Sequence, residues 1–156
     1  MLRNIDPTKP RLHGSEHLPD KEDPIPGVLV LIVNNDTQTG ETTSSNGENT
    51  LFTLTIPPNK FSKILIEATI RHRHTTTSAA ICTFTDRIKV GGVTQATYVE
   101  QLLSTTAGGE EVHDKISIIV SGGQTVNTTV LITSQMGTSN AANGILGENA
   151  RIFGII

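Results

Sequence analysis

His72 and His74 stand two apart in the run Arg71-His72-Arg73-His74, and on an extended strand that spacing puts both imidazoles on one face. Two such imidazoles can share a metal ion, and copies of the pair around a threefold axis could build an octahedral site. Against this stand the flanking arginines, the Thr75-Thr76-Thr77-Ser78 loop that follows, and the lack of a third ligand close in sequence. The two histidines are therefore expected to be solvated polar groups near a strand end. The basic run reads as an interface or a guard on a sheet edge. His72 and His74 are the only metal candidates, and no cofactor is expected.

The remaining reactive side chains are scattered. His13 and His17 lie in a proline-studded leader, and His113 and Asp114 are adjacent, so on a strand they face opposite ways and cannot form the orienting pair of a catalytic triad. Gly-x-Ser-x-Gly, His-Glu-x-x-His and Cys-x-x-Cys are all absent, so the chain is expected not to be an enzyme. The lone Cys82 alternates in phase with Phe84 and Ile88, which reads as a small buried hydrophobe. Asp36, Glu41 and Glu48 share a long polar stretch that could offer oxygen ligands to Ca²⁺, but their spacing follows no calcium-loop pattern and favours a plain solvated loop. With no tryptophan and Tyr98 as the single tyrosine, a sugar-stacking surface is poorly supplied.

The elements that must position these residues are strands. The chain has 156 residues, enough for one domain that hides roughly 70% of its unfolded surface. Threonine, β-branched and suited to strands, occurs 23 times. Val28 to Val33 is apolar at every position and predicts a strand covered on both faces. The stretch from Asn34 to Asn49 has no apolar side chain and predicts a surface loop. Alternation then predicts strands over 50–56, 61–74, 79–90, 93–103, 112–120, 125–135 and 145–156. Gly91-Gly92, Gly108-Gly109 and Gly122-Gly123 mark the reversals, since glycine supplies the positive φ of tight turns. Only Tyr98 to Ser104 could compete as a short helix, and 136–144 reads as a second polar loop. An all-β antiparallel sandwich follows as the fold class.

Residues 1–27 do not fit that body. They hold five of the seven prolines and nine charges, with Leu2, Ile5, Leu12, Leu18 and Ile25 at no regular period. This predicts an extended N-terminal arm, with 28–156 as the folded domain and those five apolar residues as its anchors on a partner. The formal net charge of −3 argues against nucleic-acid binding and against a cationic membrane surface. The longest apolar run is six residues, Val28 to Val33, which predicts neither a secretory signal nor a membrane span and so a protein made in the cytosol.

Thr50-Leu51-Phe52-Thr53-Leu54-Thr55-Ile56-Pro57-Pro58-Asn59, followed by a long Ile-rich strand and then by Phe84 to Val90 with Gly91-Gly92, resembles the jelly-roll modules of virion proteins. In that family a "T-L-x-I-P-x-N" strand and turn and an "x-V-G-G" hairpin recur in capsid decoration proteins and in spike or fibre heads. The resemblance spans residues 50–156 and implies a jelly-roll sandwich. It further implies a homotrimer, synthesised in a host cytoplasm and located on the capsid surface of a virion, with the major capsid protein or other virion subunits as partners. The first function it implies is a decoration or cement protein that stabilises a phage or virus shell through its arm. The alternative is a receptor- or glycan-binding head that uses loops 34–49 and 136–144.

Overall fold

A computed structural model describes residues 28–43, 47–74, 80–104, 110–137 and 143–156. The arm 1–27, with Leu2, Ile5, Leu12, Leu18, Ile25, His13 and His17, lies outside the described residues, as does the Gly108-Gly109 reversal. Eight strands form: β1 (Leu29–Asn35), β2 (Asn49–Ile56), β3 (Lys63–His74), β4 (Ala80–Val90), β5 (Val93–Ser104), β6 (Glu110–Ser121), β7 (Thr128–Met136) and β8 (Asn143–Ile155). They build two four-stranded antiparallel sheets, ordered β1-β8-β3-β6 and β2-β7-β4-β5. β1 pairs with β8, β2 with β7, β3 with β6 and β4 with β5, so each strand lies beside the one equally far from the other end of the chain. The expected β-sandwich is the fold. Tyr98 to Ser104, where a helix could compete, is strand, and no helix among the described residues is long and apolar enough to cross a membrane.

Period-two patterning sets the inside and the outside. Along β3, Ile64, Ile66, Ala68 and Ile70 are buried and alternate with half-exposed residues on the opposite face. They meet Phe84, Ile88, Val130, Ile132 and Ile56 from the other sheet in one core. Cys82 is buried in that core, in phase with Phe84 as its alternation predicts. Gly91 and Gly92, with φ of 59° and 83°, close the β4–β5 hairpin in the two-residue turn that needs positive φ at both positions. Gly147 of β8 has a different role: a side-chain carbon there would fall 2.5 Å from the Phe52 ring, so the missing Cβ lets β2 pack against β8.

Two readings need correction. Val28 to Val33 is not covered on both faces: β1 is an edge strand, and Leu29 and Leu31 are 51% and 52% exposed. An unbroken apolar run carries no period, so it cannot reveal whether the second face has a cover. The Arg71-His72-Arg73-His74 run is not an edge guard either, because β3 lies between β8 and β6 along its whole length.

Candidate functional site

β3 keeps its alternation past the apolar stretch, so His72 and His74 occupy the inward positions that follow Ile70, and both are buried. The expectation of solvated polar groups is overturned: sheet position, not chemical type, decides which face a residue takes. The two imidazoles nonetheless share no site. His74 Nδ1 lies 2.5 Å from the Asn143 side-chain oxygen, and both groups are buried. His72 instead meets two carboxylates. Asp86 arrives from β4, in phase with Phe84 and Ile88, and Asp114 from β6, in phase with the buried Ile116.

The three groups interlock. His72 Nε2 is 3.1 Å from Asp86 Oδ1, and His72 Nδ1 is 2.9 Å from Asp114 Oδ2. The ring also stacks on Phe84, with centroids 4.5 Å apart and planes inclined by 18°. Burial disfavours the charged imidazole, but the hydrogen bond and charge of Asp86, joined by those of Asp114, outweigh it and raise the His72 pKa above its usual value. Protonated, the ring donates one N–H to each carboxylate. Such a group survives inside a sandwich only because every charge has a hydrogen-bonded counter-charge.

A cleft reaches this cluster from solvent. β5 and β6 are edge strands on the same side of the sandwich, and between them opens a cavity of about 170 Å³ lined by Asp86, Tyr98, Glu100, Asp114 and Lys115, among others. The Tyr98 hydroxyl donates to the Ser117 carbonyl and so ties the two edges together. Asp114, with its side chain 26% exposed, is the member of the triad nearest to water.

The other candidates disperse. Arg71 and Arg73 point outward and hold Glu41, which accepts two 3.0 Å bonds from Arg73. Glu48 pairs with Lys89 at 2.7 Å and with Arg87 at 3.5 Å, and Asp36 with Arg151 at 3.0 Å, so the three carboxylates of the first polar loop face different cations and share none. Their hydrogen bonds to these partners, Lys89 for Glu48 and Asn34 then Arg151 for Asp36, lower both pKa values. Glu41 binds cations on the outer face of one sheet and Glu48 cations on the outer face of the other. His113 faces away from Asp114, as adjacency predicts, and pairs with Glu148 at 2.9 Å, whose hydrogen bond raises its pKa.

Sequence reasoning thus found His72 but not its partners. One signal was available: Asp86 occupies an inward position between Phe84 and Ile88, where an acid needs a buried counter-charge. That this counter-charge sits on the opposite sheet is not encoded in any spacing.

No protein-family model matches the chain, and no curated protein matches it. Among solved structures the chain is similar to dimeric latent PorU from Porphyromonas gingivalis, at 7% identity and a TM-score of 0.42 over 83% of this chain. The chain spans 13% of that protein's length, and a likeness at this level carries no functional argument.

Proposed function

We propose that the chain is a structural virion protein, a capsid decoration or cement protein whose sandwich self-associates, as a homotrimer, and whose arm 1–27 grips the shell. The nested pairing of first strand with last, second with seventh and so inward is read here as the winding of a jelly roll, a common architecture of capsid domains. The observation that carries the reading is an outward apolar row. Leu31 of β1 is in register with Phe153 of β8, Phe153 with Leu65 of β3, and Leu65 with Ile119 of β6. The row crosses all four strands of one sheet, and its ends, Leu31 and Ile119, are 52% and 56% exposed. Leu29, paired with Ile155, extends it by a second rung.

Monomers seldom leave a contiguous apolar band across a whole sheet, and interfaces between like subunits are the more apolar class. A second copy of the chain is the occupant assigned to this face. Ordering the arm on shell subunits would cost roughly 1–2 kcal/mol per residue in backbone entropy, offset by Leu2, Ile5, Leu12, Leu18 and Ile25 seated in pockets. Repetition over a shell then multiplies modest contacts by avidity.

Sedimentation equilibrium tests the first half of the reading. The full chain should be oligomeric, and the double variant Leu31→Glu with Ile119→Glu should be a folded monomer. A wild-type monomer at assay concentrations would refute self-association. For the second half, removal of residues 1–27 should leave the oligomer intact and abolish co-sedimentation with shells of the encoding virus. Undiminished co-sedimentation would remove the arm from the proposal.

A further inference from the structure

We propose that the cleft between β5 and β6 is a binding site for a divalent first-row metal ion such as Zn²⁺ or Mn²⁺. Its ligands are His72, Asp86 and Asp114, with Glu100 as a further carboxylate on the wall. The site is independent of the assembly role, since none of these residues lies in the outward apolar row.

Geometry supports it first. One ligand atom from each of His72, Asp86 and Asp114 lies within 4.8 Å of the others. An ion with bonds of about 2.0–2.2 Å holds neighbouring donors about 3–4 Å apart, so the most widely spaced donors need to close by no more than about 1–2 Å. The donors stand on the inner faces of three strands, and the imidazole plane is held by Phe84, so the constellation is built on rigid elements.

Charge and access point the same way. Asp86, Glu100 and Asp114 bring three carboxylates to one cavity against a single imidazole. The Glu100 carboxylate has no hydrogen-bond or ion-pair partner among the described residues. Asp86 is almost fully buried and yet lines the cleft. Lys115, the cation on the wall, is engaged by Glu67 on the outer face at 2.9 Å. The cavity of about 170 Å³ has room for water to complete the coordination.

The donor set selects the ion. Ca²⁺ and Mg²⁺ take oxygen ligands, whereas an imidazole beside carboxylates suits Zn²⁺ or Mn²⁺. On binding, the ion takes the electron pair of one ring nitrogen, and the proton carried there leaves to solvent. The carboxylate that was hydrogen-bonded to that nitrogen exchanges the bond for one to the metal, while the other ring N–H keeps its hydrogen bond to one oxygen of the second carboxylate, whose remaining oxygen is the one offered to the ion. No oxidation or reduction is involved.

The test is calorimetric titration of the full chain, stripped with a chelator, with ZnCl₂ and with MnCl₂. Wild type should bind one ion per chain. Asp114→Asn, nearly isosteric and at a partly exposed position, should bind at least about tenfold more weakly. His113→Ala, which removes the outward-facing imidazole beside Glu148, should bind as wild type does. Mn²⁺ added to isotope-labelled wild-type protein should broaden the amide signals around His72, Asp86 and Asp114, a readout that does not depend on any variant folding. The proposal is overturned by the absence of binding. It also fails if Asp114→Asn binds as tightly as wild type, if His113→Ala loses binding, or if broadening spares the cleft.

Discussion

Residues on β3 take part in two regions that invert the usual partition of side chains. On its outer face Leu65 sits in a band of apolar groups turned to solvent, while on its inner face the buried His72 sits between two carboxylates. Exposed apolar residues cost little in a monomer, whereas buried charges hold only through their mutual geometry. The inner cluster should therefore govern stability and the outer band association. Disturbing each separately shows whether that division is real.

The largest effect should come from breaking the inner cluster. Asp86→Ala leaves His72 inside the core without its main counter-charge and should cost roughly 3–5 kcal/mol in urea unfolding. A triple replacement of His72, Asp86 and Asp114 by apolar residues of similar volume should regain most of that loss. If the triple variant is as unstable as the single one, packing and not charge is the source. Next comes Gly147→Ala: its new methyl must displace the Phe52 ring, and a cost of about 1–3 kcal/mol is expected, read as a lower urea midpoint at unchanged slope.

A pH series sharpens the inner half of the comparison. His72 has its folded pKa raised above the unfolded value of about 6.5, so the folded chain holds the proton more tightly. Its contribution is complete below about pH 6.5 and should disappear as the pH rises through the folded pKa. Urea midpoints measured with chelator present should fall over that interval and lose the fall in Asp86→Asn. The exposed His113 shifts in the same direction, so the series belongs in a His113→Ala background. A midpoint that rises over the same interval would mean that His72 is buried neutral. The smallest effect on stability is expected at the outer band: Leu31→Glu with Ile119→Glu should change the unfolding free energy of the monomer by no more than about 0.5 kcal/mol per site while abolishing association.

Much of this architecture is legible along the chain. Alternation over 61–74 and 79–90, the glycine pair at 91–92 and the two prolines after Ile56 suffice to place strands and turns, because side-chain direction in a strand follows from parity alone. The inward phase of Cys82, Phe84, Asp86 and Ile88 is readable for the same reason, as is the opposition of His113 and Asp114. β1 was misread because an apolar run has no parity signal to say that one of its faces is open.

Parity tells which side of its own sheet a residue occupies but not what faces it from the other sheet. His72 and Asp114 share one sheet, and Asp86 reaches them from the opposite one across the sandwich. The outward row likewise joins β1, β8, β3 and β6, none of which is next to its sheet neighbour in sequence. Local patterning therefore determines a two-layered β body with an inward histidine and an inward acid. Only the packing of one layer on the other decides that the two meet, since the register between sheets is settled by how the whole core interdigitates.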